Sequence, residues 1–331
     1  MKAIIPVAGA GTHLRPHTHT QPKPLIPVAG KPILGHIIDN LIKAGIREQV
    51  FIVGYLKEKI QDYVESSFGE LIVPTFIEQA PRRGLGHALW VARDIIEAEE
   101  EILVVLGDTI FGDDTARILE IEGSVLAVHP VDDPRSFGVA MLDEQKFVKK
   151  LVEKPDIPTS NLALVGMYKI AEIQPLIQSL DEMVIESDNR EVDIPLTDAL
   201  MRMVKRGIKL YTHRVENWFD CGQKQSLLYT NQILLGREKE KVEHRFSNTV
   251  IIEPVHIASN CDIINSVIGP HVAIAENARI YNSIVKNSIL GAYSQLDSII
   301  LNSSVIGNDT SLRGKSNSIN IGDNTEIDFE Q

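Results

Sequence analysis

The sequence predicts an α/β domain built on a mostly parallel sheet, followed by a smaller solenoid of short stacked strands. Three observations carry this. Short apolar runs alternate with amphipathic helical stretches over residues 1–236, the pattern of a sheet covered by helices on both faces. The first of those runs, Ala3-Ile4-Ile5-Pro6-Val7, breaks directly into a glycine-rich turn. Beyond residue 248 aromatics thin out, asparagine and serine rise, and aliphatic residues recur about every six positions, a period that buries a core only by stacking coil on coil.

Taken in order, Ala3–Val7 reads as a first strand that ends in Ala8-Gly9-Ala10-Gly11-Thr12-His13. Gly9 and Gly11 allow backbone angles closed to other residues and let an anion approach the peptide N–H groups. Arg15 and Lys23 bring positive charge to the same rim. The dinucleotide fingerprint G-x-G-x-x-G fails, because Leu14 and Arg15 stand where its third glycine belongs, and no G-K-[ST] follows for an ATPase P-loop. Pro32–Ala44 carries Ile33, Ile37, Ile38, Leu41 and Ile42 at helical spacing, with Gly45 as a stop. Val50–Val53 reads as a buried strand, Lys57–Ser66 as an amphipathic helix and Leu71–Ile77 as a further strand. In such sheets ligands sit beyond the carboxyl ends of the strands, where the glycine loop falls.

Gln79 to Ala88 leads into a helix expected to run through Ile96, with Arg82 and Arg83 read as solvated. Ile102–Leu106 is a continuous apolar strand ending in Gly107-Asp108, a position that suits either a metal ligand or a turn cap. Asp113 and Asp114 read as solvated turn residues. Ser124–His129 is another strand; Phe137-Gly138-Val139 and Phe147–Val152 follow, the latter running into Glu153-Lys154-Pro155. Asn161–Lys169 is a strand, Pro195 opens a helix to about Lys205, and Leu210–Val215 leads to Trp218-Phe219-Asp220-Cys221-Gly222.

The stretch from Gly9 to Val28 resembles the signature of sugar-1-phosphate nucleotidylyltransferases, G-x-G-T-R-L-x-P-x-T followed by P-K-P-L-x-P-V, with His13 in place of the signature arginine. Gln79–Ala88 resembles the family's Q-x-x-x-x-G-L-[AG]-x-A element, and F-G-V with V-E-K-P a second signature. The resemblance implies a Rossmann-like fold of the nucleotide-diphospho-sugar transferase type over residues 1–236. It implies nucleotide binding by Ala8, Gly9, Ala10, Gly11, Thr12, His13, Gln79 and Gly84, with Gln79 and Gly84 reading a pyrimidine base. An amide both donates and accepts, matching the edge shared by uracil and thymine, so dTTP or UTP is the expected nucleotide. The resemblance further places Gly138, Glu153, Gly166 and Asp193 on the sugar and Lys154 on its phosphate. Mg²⁺ falls to Asp108 and Asp220, and the catalytic set becomes Arg15, Lys23, Asp108 and Lys154. Glucose-1-phosphate is the expected sugar ester.

Gly236–Arg245 is densely charged and reads as a linker, taken as residues 237–247. In the segment after it, Ile251, Ile257, Ile263, Val267, Ala273, Arg279, Val285, Gly291 and Asp297 trace the six-residue period, with Ile268, Ile274 and Ile280 one place along. Phrases such as Val267-Ile268-Gly269-Pro270 look like hexapeptide repeats of a left-handed parallel β-helix over 248–331. Acyltransferases use that fold, so a second activity through His256 or His271 stands beside a structural or oligomerising role. A catalytically weak sugar-nucleotide sensor is the other alternative, motivated by His13 and by the short acid Asp193.

The formal net charge of −12 argues against nucleic acid or an anionic membrane as partner, but not against a phosphorylated substrate met by local cations. Two cysteines, Cys221 and Cys261, with no metal-ligand spacing suit a reducing compartment. The first apolar run is too short for a signal-peptide core and no later one is long enough to span a bilayer, so a cytoplasmic protein is expected, and the β-helix makes a homo-oligomer the expected assembly. His13, His17 and His19 lack the regular spacing of a closed zinc site.

Overall fold

The computed structural model describes residues 1–112, 114–187, 192–237, 246–314 and 320–328. Asp113 and most of the charged linker, residues 238–245, lie outside the described residues. The chain forms two compact units, Met1–Gly9 with Ile37–Trp218, and Ala10–His36 with Phe219–Gln331. The glycine-rich turn is therefore shared out: its first glycine belongs to the strand that precedes it, the remainder to the unit containing the solenoid.

The first unit is a nine-stranded sheet. Its main path runs Val148–Glu153, Gly138–Leu142, Leu162–Ile170, Ile102–Val105, Lys2–Pro6, Glu48–Val53, Val73–Glu78. Lys2–Pro6 pairs parallel with both Glu48–Val53 and Ile102–Val105, and Glu48–Val53 parallel with Val73–Glu78. The central strands carry largely apolar runs because helices cover both faces, and Ile4, Ile52 and Val104 are wholly buried, whereas the edge strand Val73–Glu78 is only partly buried. Leu162–Ile170 runs antiparallel to three neighbours, Ile102–Val105, Val125–Pro130 and Gly138–Leu142. Its register shifts between Leu164 and Tyr168, around Gly166 at φ 92°. A bulge there bends the strand and re-aims the side chains that follow.

The helix expected through Ile96 breaks at Ala92 into Gly84–Val91 and Arg93–Ile96. Gly84–Val91 packs with Ile173–Glu186 and Leu196–Lys205 in a single core through Leu89, Leu176, Leu180, Leu200 and Met203.

Two surface readings are corrected. Asp114 is almost fully buried at the start of helix Asp114–Leu119, and its Oδ2 accepts from the N–H groups of Glu216 (3.3 Å) and Asn217 (3.2 Å). Its carboxylate is needed for backbone donors that would otherwise go unpaired. Arg83 is buried as well: Nη2 donates to Ser187 Oγ at 2.5 Å and Nε to the Val192 carbonyl at 3.3 Å. Arg82 is exposed, over the Tyr55 ring.

In the second unit, three parallel sheets of four, five and five strands form the faces of a left-handed parallel β-helix. Val250 pairs with Val267 and Val267 with Ile284, coils of 17 residues. Ile284 pairs with Ile300, a coil of 16, and Val305 with Asn320, a coil of 15. An 18-residue coil would keep a strict six-residue frame; these shorter coils make it drift. The core positions are consequently Ile268, Ile274 and Ile280, all fully buried, whereas Arg279 on the traced period is exposed. Corners are turned by residues at positive φ, asparagine most often, as at Asn265, Asn282 and Asn287, because asparagine tolerates the left-handed region. At one corner the Asn248, Asn265 and Asn282 side chains hydrogen-bond coil to coil and on to Asp297.

Candidate active site

In the first unit the candidate residues gather at the carboxyl ends of the strands. Past Pro6 the chain is pinned to its parallel neighbour: Val7 N–H donates to Ile52 O at 2.8 Å, and Tyr55 N–H to Ala8 O at 3.1 Å. A Cβ on Gly54 would lie 2.9 Å from that of Ala8, so only glycine admits this approach. On the other side a Cβ on Gly107 would lie 3.0 Å from Pro6 O and strike the Val7 side chain. Gly107 thus brings Asp108, half-buried at the end of the central strand Ile102–Val105, beside the start of the glycine turn.

Glu153 ends its strand opposite Gly138 in the antiparallel ladder. Thr197 Oγ1 donates to Glu153 Oε2 at 3.0 Å, and a Cβ on Gly138 would lie 2.8 Å from Thr197 Cγ2 and 3.2 Å from Glu153 Oε2. Lys154 follows at φ 41°, its N–H donating to Phe137 O at 3.0 Å, which leaves its side chain exposed. Just past the bulge at Gly166, the buried Tyr168 hydroxyl feels both acids. Burial pushes its pKa well up, and the charges of Glu153 and Asp108 add to the shift. The phenol stays a neutral donor.

Gln79 is buried, its Nε2 donating to Gly84 O at 2.9 Å and lying 3.2 Å from His87 Nδ1. Burial lowers the His87 pKa, with Arg83 adding to the effect, so the neutral ring accepts from the Gln79 amide. Gly84 sits at φ 84°, and a Cβ there would run into the Asp193 carboxylate. Backbone bonds clasp the two segments: Ile194 N–H to Arg83 O at 2.9 Å and Gly86 N–H to Ile194 O at 2.7 Å. The residue expected at the base and the one expected at the sugar are thereby neighbours.

In the second unit, Gly11 takes φ 61° and its carbonyl accepts from Thr18 Oγ1 at 2.9 Å. A Cβ on Gly11 would lie 2.7 Å from Lys23 Cβ, so the turn and the lysine are in contact. Thr12, His13 and Arg15 are exposed around the buried anchor Leu14, and Ala10 and Lys23 are half-buried. Asp220 Oδ1 accepts from Gly222 N–H at 2.9 Å. Cys221 is fully buried. His256 packs against Gly30, and Asn231 donates to the His271 carbonyl.

The structure thus brings Ala8, Gly9, Asp108, Gln79, Gly84, Gly138, Glu153, Lys154, Gly166 and Asp193 into the first unit. It puts Ala10, Gly11, Thr12, His13, Arg15, Lys23 and Asp220 in the second. Sequence reasoning missed His87, Thr197 and Tyr168. His87 lies inside the quoted Gln79–Ala88 element, one place before Ala88, whereas Thr197 finds its partner Glu153 at the end of a strand distant in sequence. Among the described residues no three His, Cys, Asp or Glu side chains converge as a metal cage. Asp108 and Asp220 are hard oxygen donors of the kind magnesium takes one or two at a time, with substrate phosphates completing its shell. No helix among the described residues is long and apolar enough to cross a membrane.

Residues 2–236 match the family model for nucleotidyl transferases. The chain is 34% identical over 260 residues to the low-salt glycan biosynthesis nucleotidyltransferase Agl11 of Haloferax volcanii, covering 76% of this chain and 71% of that protein. It is 38% identical over 258 residues to the bifunctional protein GlmU of Methanocaldococcus jannaschii, but covers 59% of that longer protein. Identity to a Streptomyces antibioticus glucose-1-phosphate thymidylyltransferase is 32% over 282 residues, 82% of this chain and 77% of that one. A Bacillus anthracis crystal structure, assigned as a glucose-1-phosphate thymidylyltransferase and holding sucrose, superposes with a TM-score of 0.63 at 27% identity. It covers 73% of this chain and 98% of that one. On the extent of these matches, the chain belongs to the nucleotidyl transferase family.

Proposed function

We propose that the protein condenses dTTP or UTP with a sugar-1-phosphate, glucose-1-phosphate first among them, to give a nucleotide-sugar and pyrophosphate. The observation that carries this is the clustering in one unit of a buried, pre-oriented amide at Gln79, the Gly84–Asp193 pair, and the acids Asp108 and Glu153 around one phenol. A sugar-phosphate oxygen attacks the α-phosphorus, and the bond to the pyrophosphate leaving group breaks. The phosphate dianion is already nucleophilic near neutral pH, so the task is to align two polyanions. Arg15, Lys23 and the backbone of Ala8–Thr12 hold the triphosphate; Lys154 meets the incoming phosphate; Gly138, Glu153, Gly166 and Asp193 seat the sugar. Asp108 and Asp220 would hold Mg²⁺, which would supply charge neutralisation for the phosphates. Alignment of this kind is worth ~7–11 kcal/mol of barrier in favourable cases.

The test is a pyrophosphate-release screen of UTP, dTTP, GTP, ATP and CTP against several sugar-1-phosphates. Turnover confined to dTTP and UTP is the expected result; preference for a purine triphosphate overturns the base assignment. His13, exposed where the family signature has arginine, favours a sensor as second reading. Binding without turnover, with turnover restored by His13→Arg, would establish it. We also place the reaction in the cytoplasm, which the two free cysteines suit. Self-association is proposed from Val250, Ile284 and Ile300, exposed in register on one β-helix sheet, and sedimentation checks it.

His87→Leu should cut the preference for UTP over CTP about fivefold, since Gln79 loses one hydrogen bond worth ~1 kcal/mol and with it its fixed amide orientation. Competition assays at equal concentrations read this ratio directly.

A further inference from the structure

One outward row on a β-helix sheet runs His256, Ala273, Ile289, Val305, Asn320, each paired with the next across successive coils. Residues on either side of the row, such as Val272, Ile274 and Leu290, fill the solenoid core. Ala273, Ile289 and Val305 are not part of that core, yet they are buried. Helix Lys224–Arg237 packs on the strands that carry Ala273 and Ile289, and the segment with Gly11, Arg15 and Lys23 lies beside the row, its His17, Gln21, Leu25 and Pro27 lining a cavity with Ala273, Ile289 and Val305. At one end of the row His256 fills the space over Gly30, and Asn231 ties Ala29 N–H (2.9 Å) to the His271 carbonyl (3.2 Å). At the other end Asn320 Oδ1 hydrogen-bonds His17 Nε2, and Thr20 Oγ1 donates to Asp323 Oδ2. Asp323 is itself fixed by Asn308 N–H at 2.8 Å, and a Cβ on Gly322 would lie 2.9 Å from Pro16 Cβ.

Between the two ends lies a cavity of about 250 Å³ lined by Leu25, Pro27, Ile289 and Leu290 among others. The segment borders this space and is held by helix Lys224–Arg237 against Pro27–Val28 and by the contacts at the two ends of the row. His17 is buried between Arg15 and Lys23 in sequence. Burial holds its pKa below the usual range, Lys224 adding to this and Asn320 and Asp323 opposing it. A neutral imidazole with a single directional partner is an anchor rather than a phosphate-binding cation.

We infer that the last β-helix coil is a positioning element for the phosphate loop, with Asn320 acting through His17 to hold Arg15 and Lys23 where the triphosphate binds. The solenoid is then part of the nucleotidyl-transfer machinery. The inference rests on the nucleotidyl-transfer reading for its kinetic consequences, but the anchoring has its own readout. His17→Ala and Asn320→Ala should each raise KM for the nucleoside triphosphate about tenfold. KM for the sugar phosphate should move less than about twofold. The double variant should be no worse than either single one, because both break the same contact. His17→Gln, which keeps an amide nitrogen near the position of Nε2, should recover most of the loss, and Gln295→Ala on another β-helix face should leave kinetics unchanged. Hydrogen exchange should rise in peptides covering residues 12–23 of both alanine variants and stay constant in Lys2–Pro6. Unchanged nucleotide KM with unchanged exchange, or additive losses in the double variant, would overturn the inference. If the wild type proves inactive with every substrate pair while exchange rises as expected, the anchoring stands and the reaction assignment falls.

Discussion

Asp108→Asn should lower kcat for pyrophosphate release by about 10²–10³-fold, the usual cost of removing one preorganised charge from a phosphoryl-transfer site, with little change in thermal unfolding. The substitution is isosteric, and Asp108 sits at a strand end, half-buried. The Gly107 approach to Pro6 that places it involves no side chain of its own. Nor should the variant release the neighbouring phenol, because burial leads the causes that raise Tyr168, ahead of the acid charges. On the proposed assignment, what is lost is a hard anionic ligand. Magnesium titrations should separate this from a packing effect: the variant should need markedly more metal for its residual rate, and chelation should bring wild type and variant to the same floor. Wild-type turnover by Asp108→Asn at ordinary magnesium would remove Asp108 from the machinery.

Legibility followed the range of the interactions. The turn from Ala8 to Lys23 is local in its chemistry, with Gly11 at positive φ, prolines, and cations a few residues apart, although Gly9, expected to use angles closed to other residues, does not take a positive φ. Gly107-Asp108 was readable because a strand end is set by its own apolar run. Arg83 and Asp114 were misjudged as solvated because their partners, Ser187 with Val192 and Glu216 with Asn217, lie about a hundred residues away; a charge in a polar stretch says nothing of the backbone donors or acceptors that fold onto it. The β-helix was legible as a class but not in frame. Coils shrinking from 17 to 15 residues move the core off any fixed six-residue count. Least legible was the outward row from His256 to Asn320, because only the fold brings helix Lys224–Arg237 and the segment carrying His17 against it.

Glu153→Ala should cut kcat/KM for the sugar phosphate by about 10²-fold or more while leaving KM for the nucleotide near its wild-type value. A carboxylate oxygen accepts hydrogen bonds from sugar hydroxyls, and bonds to a charged group are worth ~1.5–3 kcal/mol each, so two of them reach that factor. The side chain is already oriented: Thr197 donates to Oε2, and the Gly138 backbone approaches the same oxygen so closely that a Cβ there would lie 3.2 Å from it. Thr197→Val should therefore give a smaller loss, on the order of tenfold, because the acid survives but loses the donor that orients it. Gly138→Ala should resemble Glu153→Ala, since the added methyl meets Thr197 and Glu153 together. Sugar-phosphate kinetics at saturating nucleotide order these three variants. Should Glu153→Ala raise the nucleotide KM instead, Glu153 would belong with the triphosphate, and the Gly138–Glu153–Thr197 cluster would have to be reassigned.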